Sequence, residues 1–363
     1  VAKKTIFIAA GGTGGHLFPA IYIAQALQQL DASLRVVALG AGRPLEAKLF
    51  HDWQLEYHII PTVGLKNRGI KGILQFLISL PRALMKTASL FAHYKPAAVV
   101  GVGGYVTVLP VLMAWCRAIP AWIHEAEIKP GMANAFLSFF SQKISVAFER
   151  CELPRIVEKT FTGHPVRRGL VDIQRSAPLT DPPKHLLILG GSQGAQSLDD
   201  AAPALAAFAK QHGLSLIHQC RPQNVDAVRA VYQASALTDY EVKGFIDDVI
   251  AAYAWADIII SRSGAGSVSE LSVVNKPVIF VPFPYAQADH QTRNAKTLVE
   301  IGKAVLCPEG QGFQERLCTE LSSLMDISRY NEIVKRPQKV SHQDAAQAIA
   351  AGVLSLISDS VAR

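Results

Sequence analysis

Short apolar runs, each closed by glycine or a polar turn and then followed by residues at helical spacing, recur along the whole chain. Thr5-Ile6-Phe7-Ile8-Ala9-Ala10 reads as a buried strand, Gly11-Gly12-Thr13-Gly14-Gly15-His16 as a loop, and Leu17 to Leu30 as a helix that tolerates Pro19 in its first turn. A second strand, Leu34 to Leu39, runs into Gly40-Ala41-Gly42-Arg43. Ala97 to Cys116 holds no charge over 20 positions, long enough to raise a transmembrane helix. Gly101, Gly103, Gly104 and Pro110 instead break it into a strand, a Gly-Gly-Tyr turn and a helix. Ala121-Trp122-Ile123 leads into His124-Glu125-Ala126-Glu127, Pro130 to Asn134 opens a helix, and a strand lies near Thr160.

At His185 the pattern restarts: Leu186 to Leu189 is a strand, Gly190-Gly191-Ser192-Gln193-Gly194-Ala195 a loop, and a helix follows. Gly244-Phe245-Ile246-Asp247-Asp248 precedes another helix, with Asp247 as its expected N-cap. Ala256 to Ile260 predicts a strand, Ser261 to Glu270 a glycine turn entering a helix, and Pro277 to Val281 a further strand. Asp289 to Ala295 starts a helix, and Ser341 to Ile357 predicts a closing amphipathic helix whose Ser341 and Asp344 have capping-box spacing.

Strand and helix alternate throughout, so the expected class is α/β with parallel sheets. At 363 residues the chain exceeds the size of most single cores, and the repeated pattern suggests two tandem Rossmann-like domains, residues 1–165 and 166–340. Gly163 to Arg168 and the proline-bearing Ser176 to Pro183 read as the connection. The five cysteines form no close pair, against a disulfide framework or a Cys-x-x-Cys metal site and in favour of a reducing compartment. No charged segment and cleavage site precede an apolar run, so no secretory leader is expected. The second strand ends without the acidic residue of a dinucleotide fingerprint, which disfavours a nicotinamide dehydrogenase.

Charge changes the picture in one region. Between Glu56 and Glu125 there is no acid, while Lys66, Arg68, Lys71, Arg82, Lys86, Lys95 and Arg117 equal the whole net charge of +7. An anionic partner is implied. Ile70, Ile73, Leu74, Phe76, Leu77, Leu80, Leu84 and Met85 make the stretch more apolar than a nucleic-acid arm, so an acidic lipid leaflet is the better match. Taken alone, the stretch is also compatible with a core helix bearing a solvated basic rim.

The loops carry the chemistry. At Ser261 to Glu270 the first N–H groups of a helix suit a phosphate, Ser263, Ser267 and Ser269 add hydroxyls, and Glu270, read in the first turn, would reach ribose hydroxyls. The same residues also suit a plain corner, with Glu270 meeting the helix dipole. His16 is a candidate general base, though a lone histidine can equally be structural. His124-Glu125 stands at the carboxyl end of a strand, where open α/β sheets place their sites. No cluster of metal ligands is evident, and neither a metal nor a cofactor is expected.

Five ordered motifs, Gly11 to His16, His124-Glu125, Gly190 to Ala195, Ser263-Gly264-Ala265 with Ser269-Glu270, and His290-Gln291-Thr292-Arg293-Asn294-Ala295, resemble the MurG family of peptidoglycan transferases, which convert lipid I to lipid II. The resemblance runs from Thr5 to about Ala295 and implies a GT-B fold, two Rossmann-like parallel-sheet domains facing across a cleft. It implies inverting transfer of N-acetylglucosamine from UDP-GlcNAc to the muramyl 4-hydroxyl of lipid I, with the donor mostly on the second domain. By resemblance the UDP-GlcNAc contacts are Ala265, Gly266, Ser267, Val268, Ser269 and Glu270, with Glu270 on the ribose. To these it adds Ile246 on the uracil through its backbone, Ser192 and Arg167 by the diphosphate, Gln291 on the sugar, and Glu127. Thr13, Gly14 and Gly15, also counted as substrate contacts, are assigned to the acceptor diphosphate side, with Gly104, Tyr105 and Asn134 nearby. The last helix, 341–363, is expected to pack back on the first domain. The membrane patch maps to Lys71, Ile73, Leu74, Leu77 and Arg82, so the protein is expected as a peripheral protein on the anionic cytoplasmic face of the cell membrane. Other cell-wall synthesis proteins are candidate partners, and nucleic acid is not.

The preferred base is His16, with Glu125 second. This chain has Glu127 where many relatives carry Asn, and His290-Gln291 where some carry two glutamines. Two other readings stand beside the transferase: a soluble GT-B enzyme, either a small-acceptor UDP-sugar transferase or a UDP-GlcNAc epimerase, and a non-catalytic nucleotide-sugar-binding protein. Neither soluble enzyme needs the acid-free basic region, and the binding protein needs neither His16 nor Glu125.

Overall fold

The computed structural model describes residues 3–62, 69–154, 158–170, 172–173, 178–191, 194–336 and 342–361. The chain divides into two units, Val1–Val166 with Asp344–Arg363, and Arg167–Gln343.

The first unit is built on seven strands, β1 Thr5–Ala10, β2 Arg35–Gly40, β3 Glu56–Ile59, β4 Ala98–Gly103, β5 Ala121–Glu125, β6 Lys143–Val146 and β7 Lys159–Phe161. They form one parallel sheet in the order β3-β2-β1-β4-β5-β6-β7. All six residues of β1 are buried, as a central strand covered on both faces requires. Ile6, Ile8 and Ala10 pack into the layer that holds Leu17, Ile21 and Leu27 of helix Gly14–Leu30 and Ile349, Ala350 and Val353 of helix Ala345–Val361. Phe7 and Ala9 pack into the opposite layer with Ala83, Leu90 and Phe91 of helix Gly69–Tyr94. This period of two gives β1 two cores to serve, and Thr5 at its first position is its one polar residue.

The second unit carries β8 His185–Leu189, β9 Ser215–Gln219, β10 Tyr240–Lys243, β11 Ile258–Ser261, β12 Val278–Phe280 and β13 Ala304–Leu306, parallel in the order β10-β9-β8-β11-β12-β13. In each unit the chain order reverses beside the first strand, between β1 and β4 and between β8 and β11. In open α/β sheets such a reversal is where ligand sites lie, at the carboxyl ends of the strands.

Three predicted boundaries are corrected. Helix Gly14–Leu30 begins three residues before Leu17, because extended Thr13 caps it and its carbonyl already accepts the His16 and Leu17 N–H groups at 3.0 and 3.3 Å. Pro19 therefore falls in the second turn. The cap of helix Val249–Trp255 is Asp248, which accepts the Ala251 N–H at 2.9 Å, and not Asp247. The last helix starts at Ala345; Ser341 lies outside the described residues. Among the described residues no helix is long and apolar enough to cross a membrane.

Candidate functional site

In the first unit the loop after β1 is held against the loop after β4. The Gly11 N–H donates to the Gly103 carbonyl at 3.2 Å, and His16 Nδ1 lies 3.0 Å from the Gly11 carbonyl. A carbonyl only accepts, so Nδ1 carries the hydrogen and Nε2 keeps its lone pair. The ring lies so close to Gly103 that a Cβ there would stand 2.6 Å from it, which fixes glycine at that position. Burial lowers the His16 pKa below its ordinary 6.5, against the Gly11 carbonyl and the Glu127 charge, which both raise it. The half-buried ring is thus neutral at pH 7 and basic at Nε2.

Glu125, at the end of β5, is buried and fully engaged. Its Oε1 accepts the Glu127 N–H at 2.8 Å, and its Oε2 accepts the Gly131 N–H at 3.1 Å and Asn134 Nδ2 at 3.0 Å. Burial pushes its pKa up to about 7, overcoming those three donors. Asn134 also donates to the His124 carbonyl, so Glu125 and Asn134 together brace the loop between β5 and helix Met132–Leu137. Beneath it, His124 Nδ1 meets Ser145 Oγ at 2.9 Å and its Nε2 meets His164 Nδ1 at 3.1 Å. Gly104 precedes a tight turn, Tyr105–Thr107, where Tyr105 is half-buried, and Glu127 is also half-buried. His16, Glu127 and the Gly103-Gly104 turn are thus brought to one end of the sheet. Thr13 caps the helix, and the N–H groups of Gly14 and Gly15 in its first turn have no intrahelical acceptor.

In the second unit β11 passes through Gly264 into helix Ala265–Val274, whose first turn presents Ala265, Gly266 and Ser267. Glu270 is the sixth helical residue, in the second turn and not the first, because the helix begins at Ala265 and holds no acid in its first turn. From there Glu270 accepts Arg167 Nε at 3.0 Å and the Tyr253 hydroxyl at 3.1 Å. Val268 and Ser269 are buried, and the hydroxyls of Ser263 and Ser269 have no hydrogen-bond partner among the described residues. Gln291 accepts the Ser263 and Phe283 N–H groups at its amide oxygen, at 3.4 and 2.9 Å. Ile246 is buried on the loop after β10, next to exposed Phe245. Ser192 and Gln193 lie outside the described residues.

Two residues of this unit had no signal in the sequence pattern. Tyr253 looks like any helical core aromatic. Arg262 looks like a surface charge, yet it is buried, donates to the Val281 and Pro282 carbonyls at 3.0 and 3.2 Å, and pairs with Glu309. Among the described residues no three His, Cys, Asp or Glu side chains gather as metal ligands.

Of the basic, apolar stretch, Arg82 and Lys86 are exposed, as are Ile78, Leu84 and Met85 at 66, 47 and 64%. Lys66 and Arg68, with the side chains of Lys71, Ile73, Leu74 and Leu77, lie outside the described residues. Helix Gly69–Tyr94 packs against helix Val108–Cys116, and that against Met132–Leu137. Trp115, Met132 and Phe136 on these neighbours, and Phe139 just beyond, are also in solvent.

Comparison with known proteins agrees with this geometry. Residues 6–146 match the glycosyltransferase family 28 N-terminal domain and residues 185–349 its C-terminal domain. A Shewanella oneidensis protein named UDP-N-acetylglucosamine–N-acetylmuramyl-(pentapeptide) pyrophosphoryl-undecaprenol N-acetylglucosamine transferase is 34% identical over 359 residues, 98% of each chain. A protein of the same name from Shewanella sp. strain W3-18-1 is 34% identical over 97% of this chain and 98% of its own. The crystal structure of Acinetobacter baumannii MurG superposes with a TM-score of 0.78 at 31% identity, covering 97% of this chain and 99% of that one. A UDP-GlcNAc 2-epimerase from Neisseria meningitidis shares the fold alone, with a TM-score of 0.66 at 16% identity over 97% of this chain and all of its own. The chain therefore belongs to glycosyltransferase family 28, with the GT-B fold, among the MurG-type N-acetylglucosamine transferases.

Proposed function

We propose that this protein transfers N-acetylglucosamine from UDP-GlcNAc to the 4-hydroxyl of the MurNAc unit of undecaprenyl-pyrophosphoryl-MurNAc-pentapeptide, with inversion at the anomeric carbon. The product is lipid II, the disaccharide precursor of peptidoglycan. The observation that carries the chemistry is His16, a neutral ring whose Nδ1–H is committed to Gly11 and whose Nε2 is left as the base. The full-length match to transferases of that name supports the substrates.

In this mechanism His16 Nε2 takes the acceptor 4-hydroxyl proton as the oxygen attacks the anomeric carbon. The bond from that carbon to the β-phosphate oxygen breaks on the opposite face, and UDP departs with the electron pair. Its growing charge meets the Arg167 guanidinium and the N–H groups that open helix Ala265–Val274. Glu270 holds the ribose hydroxyls, the Ile246 backbone the uracil and the Gln291 amino group the transferred sugar. On the acceptor side Thr13, Gly14 and Gly15 take the diphosphate of lipid I, with Gly104, Tyr105 and Asn134 shaping the sugar site. Glu125 ranks below His16 because both its oxygens are already bonded to its own loop.

The pH dependence of kcat/KM separates the two bases. Each works only when unprotonated, so activity falls with pH through the pKa of whichever acts. With His16 the acid limb has its midpoint below 6.5, since burial lowers that pKa. A midpoint near 7, where burial places Glu125, would name Glu125 instead.

The acceptor is lipid-linked, and the patch led by Arg82, Lys86, Ile78, Leu84 and Met85 suits docking on the anionic cytoplasmic leaflet. Co-sedimentation with vesicles is expected only when anionic lipid is present, and to weaken with salt. Arg82→Glu is expected to weaken it about fivefold or more, from roughly 1 kcal/mol per basic residue. Equal binding to neutral vesicles at any salt would remove the charge from this account.

A further inference from the structure

Glu46 is buried, and it lies in the first turn of helix Pro44–Asp52, after β2. In sequence it is an ordinary acid near a helix start. In the fold its two oxygens carry different loads. Oε2 accepts the Gly42 and Arg43 N–H groups at 2.9 and 3.1 Å and the Tyr57 hydroxyl at 3.1 Å. Oε1 accepts the Gly12 N–H at 3.2 Å, from a loop 34 residues away in sequence. The first set caps a helix and ties it to β3. The second reaches the loop that bears His16.

β1 lies between β2 and β4, so its loop is flanked on both sides. From the β4 side, the Gly103 carbonyl takes the Gly11 N–H, and Gly104 presses so close to the Gly11 carbonyl that a Cβ there would stand 2.6 Å from it. From the β2 side the hold is the Glu46 carboxylate on the next N–H along. The peptide between Gly11 and Gly12 is thereby fixed from both flanks, and its carbonyl, that of Gly11, orients the His16 ring. Committing the Gly12 N–H to Glu46 also turns that amide away from the acceptor diphosphate, which is left to the amides at the start of helix Gly14–Leu30.

We propose that Glu46 is a positioning residue for the reaction: it clamps the Gly11-Gly12 peptide and so sets the tautomer and orientation in which His16 presents Nε2 to the acceptor hydroxyl. This deepens the reading of His16 as the base and rests on it. The unequal loads make a selective variant available. In Glu46→Gln one oxygen remains, and three donors against one keep it on the Gly42, Arg43 and Tyr57 side. The amide NH2 then faces the Gly12 N–H, donor against donor, and only the clamp is lost.

The test compares wild type, Glu46→Gln and His16→Gln by long-range proton–nitrogen NMR of isotope-labelled histidine and by steady-state kinetics with UDP-GlcNAc and a lipid I analogue. The resonance missing from His16→Gln identifies His16 among the 11 histidines. In Glu46→Gln the His16 signals are expected to leave the single Nδ1–H tautomer, and kcat to fall by about tenfold to a hundredfold with KM for UDP-GlcNAc unchanged. Unfolding should stay close to wild type, because the helix cap is kept. An unchanged His16 spectrum overturns the clamp, even if kcat falls. A changed spectrum, with full turnover in both variants, upholds the clamp and removes His16 from the chemistry.

Discussion

His16→Ala is expected to lower kcat by about 10²–10⁴ while leaving KM for UDP-GlcNAc near its wild-type value. The size follows from removing a base that acts in the transition state and nowhere else. The unchanged KM follows from the proposed donor contacts, since Glu270, Gln291 and the opening of helix Ala265–Val274 all belong to the other unit. The fold should survive, because the ring is half-buried and its hydrogen bond to the Gly11 carbonyl closes a loop held independently by Gly103 and Glu46. Steady-state kinetics with both substrates varied gives the answer. Turnover within threefold of wild type would take the proton transfer away from His16 and direct the search to Glu125.

Glu270→Ala has the second large effect, and it falls on binding. Loss of the two charge-assisted bonds proposed to the ribose hydroxyls, at about 1.5–3 kcal/mol each, gives at least a hundredfold weaker UDP binding. The variant also leaves the Arg167 guanidinium and the Tyr253 hydroxyl without their carboxylate partner, so part of the loss comes from a loosened diphosphate contact. Deoxy nucleotides separate the two causes. Wild type should bind UDP about tenfold or more tightly than 2′-deoxy-UDP, and Glu270→Ala should bind both alike. Calorimetry that finds the same UDP preference in the variant would mean that Glu270 serves Arg167 and never touches the ribose.

Much of this molecule could be read from its residues, for a physical reason. A parallel strand covered on both faces must be apolar throughout, so β1, β4, β8 and β11 stand out as uncharged runs. The loops after them must turn sharply, and glycine marks that need directly where φ is positive, at Gly12 after β1, Gly103 at the end of β4 and Gly191 after β8. Local chemistry thus announced the sheets and the loops that follow their strands. Boundaries were less legible. Gly14 and Gly15 look like loop and are helix, because an extended Thr13 starts the hydrogen bonding early. The same kind of offset put Glu270 one turn too early and the cap on Asp247 instead of Asp248.

Long-range partners were not legible at all. Glu46 reaches Gly12 across 34 positions and Arg167 reaches Glu270 across 103, and no periodicity carries such a pairing. Lys276 reads as a surface charge, yet it is buried, donates to the Ala254 and Ala256 carbonyls, and has its pKa lowered by burial to about 8. In each case a charged side chain sits inside because backbone groups or a partner from a distant segment satisfy it. The sequence shows the charge and hides the partner.

The central claim is the reaction, and one measurement meets it most directly: purified wild-type protein, UDP-GlcNAc labelled in the sugar, a lipid I analogue, and excess EDTA. The account predicts label in a β-linked lipid II product at a rate EDTA does not change, with UDP released in equal amount. Tight UDP-GlcNAc binding without label in the lipid, or conversion of the free UDP-sugar to its 2-epimer, would contradict it.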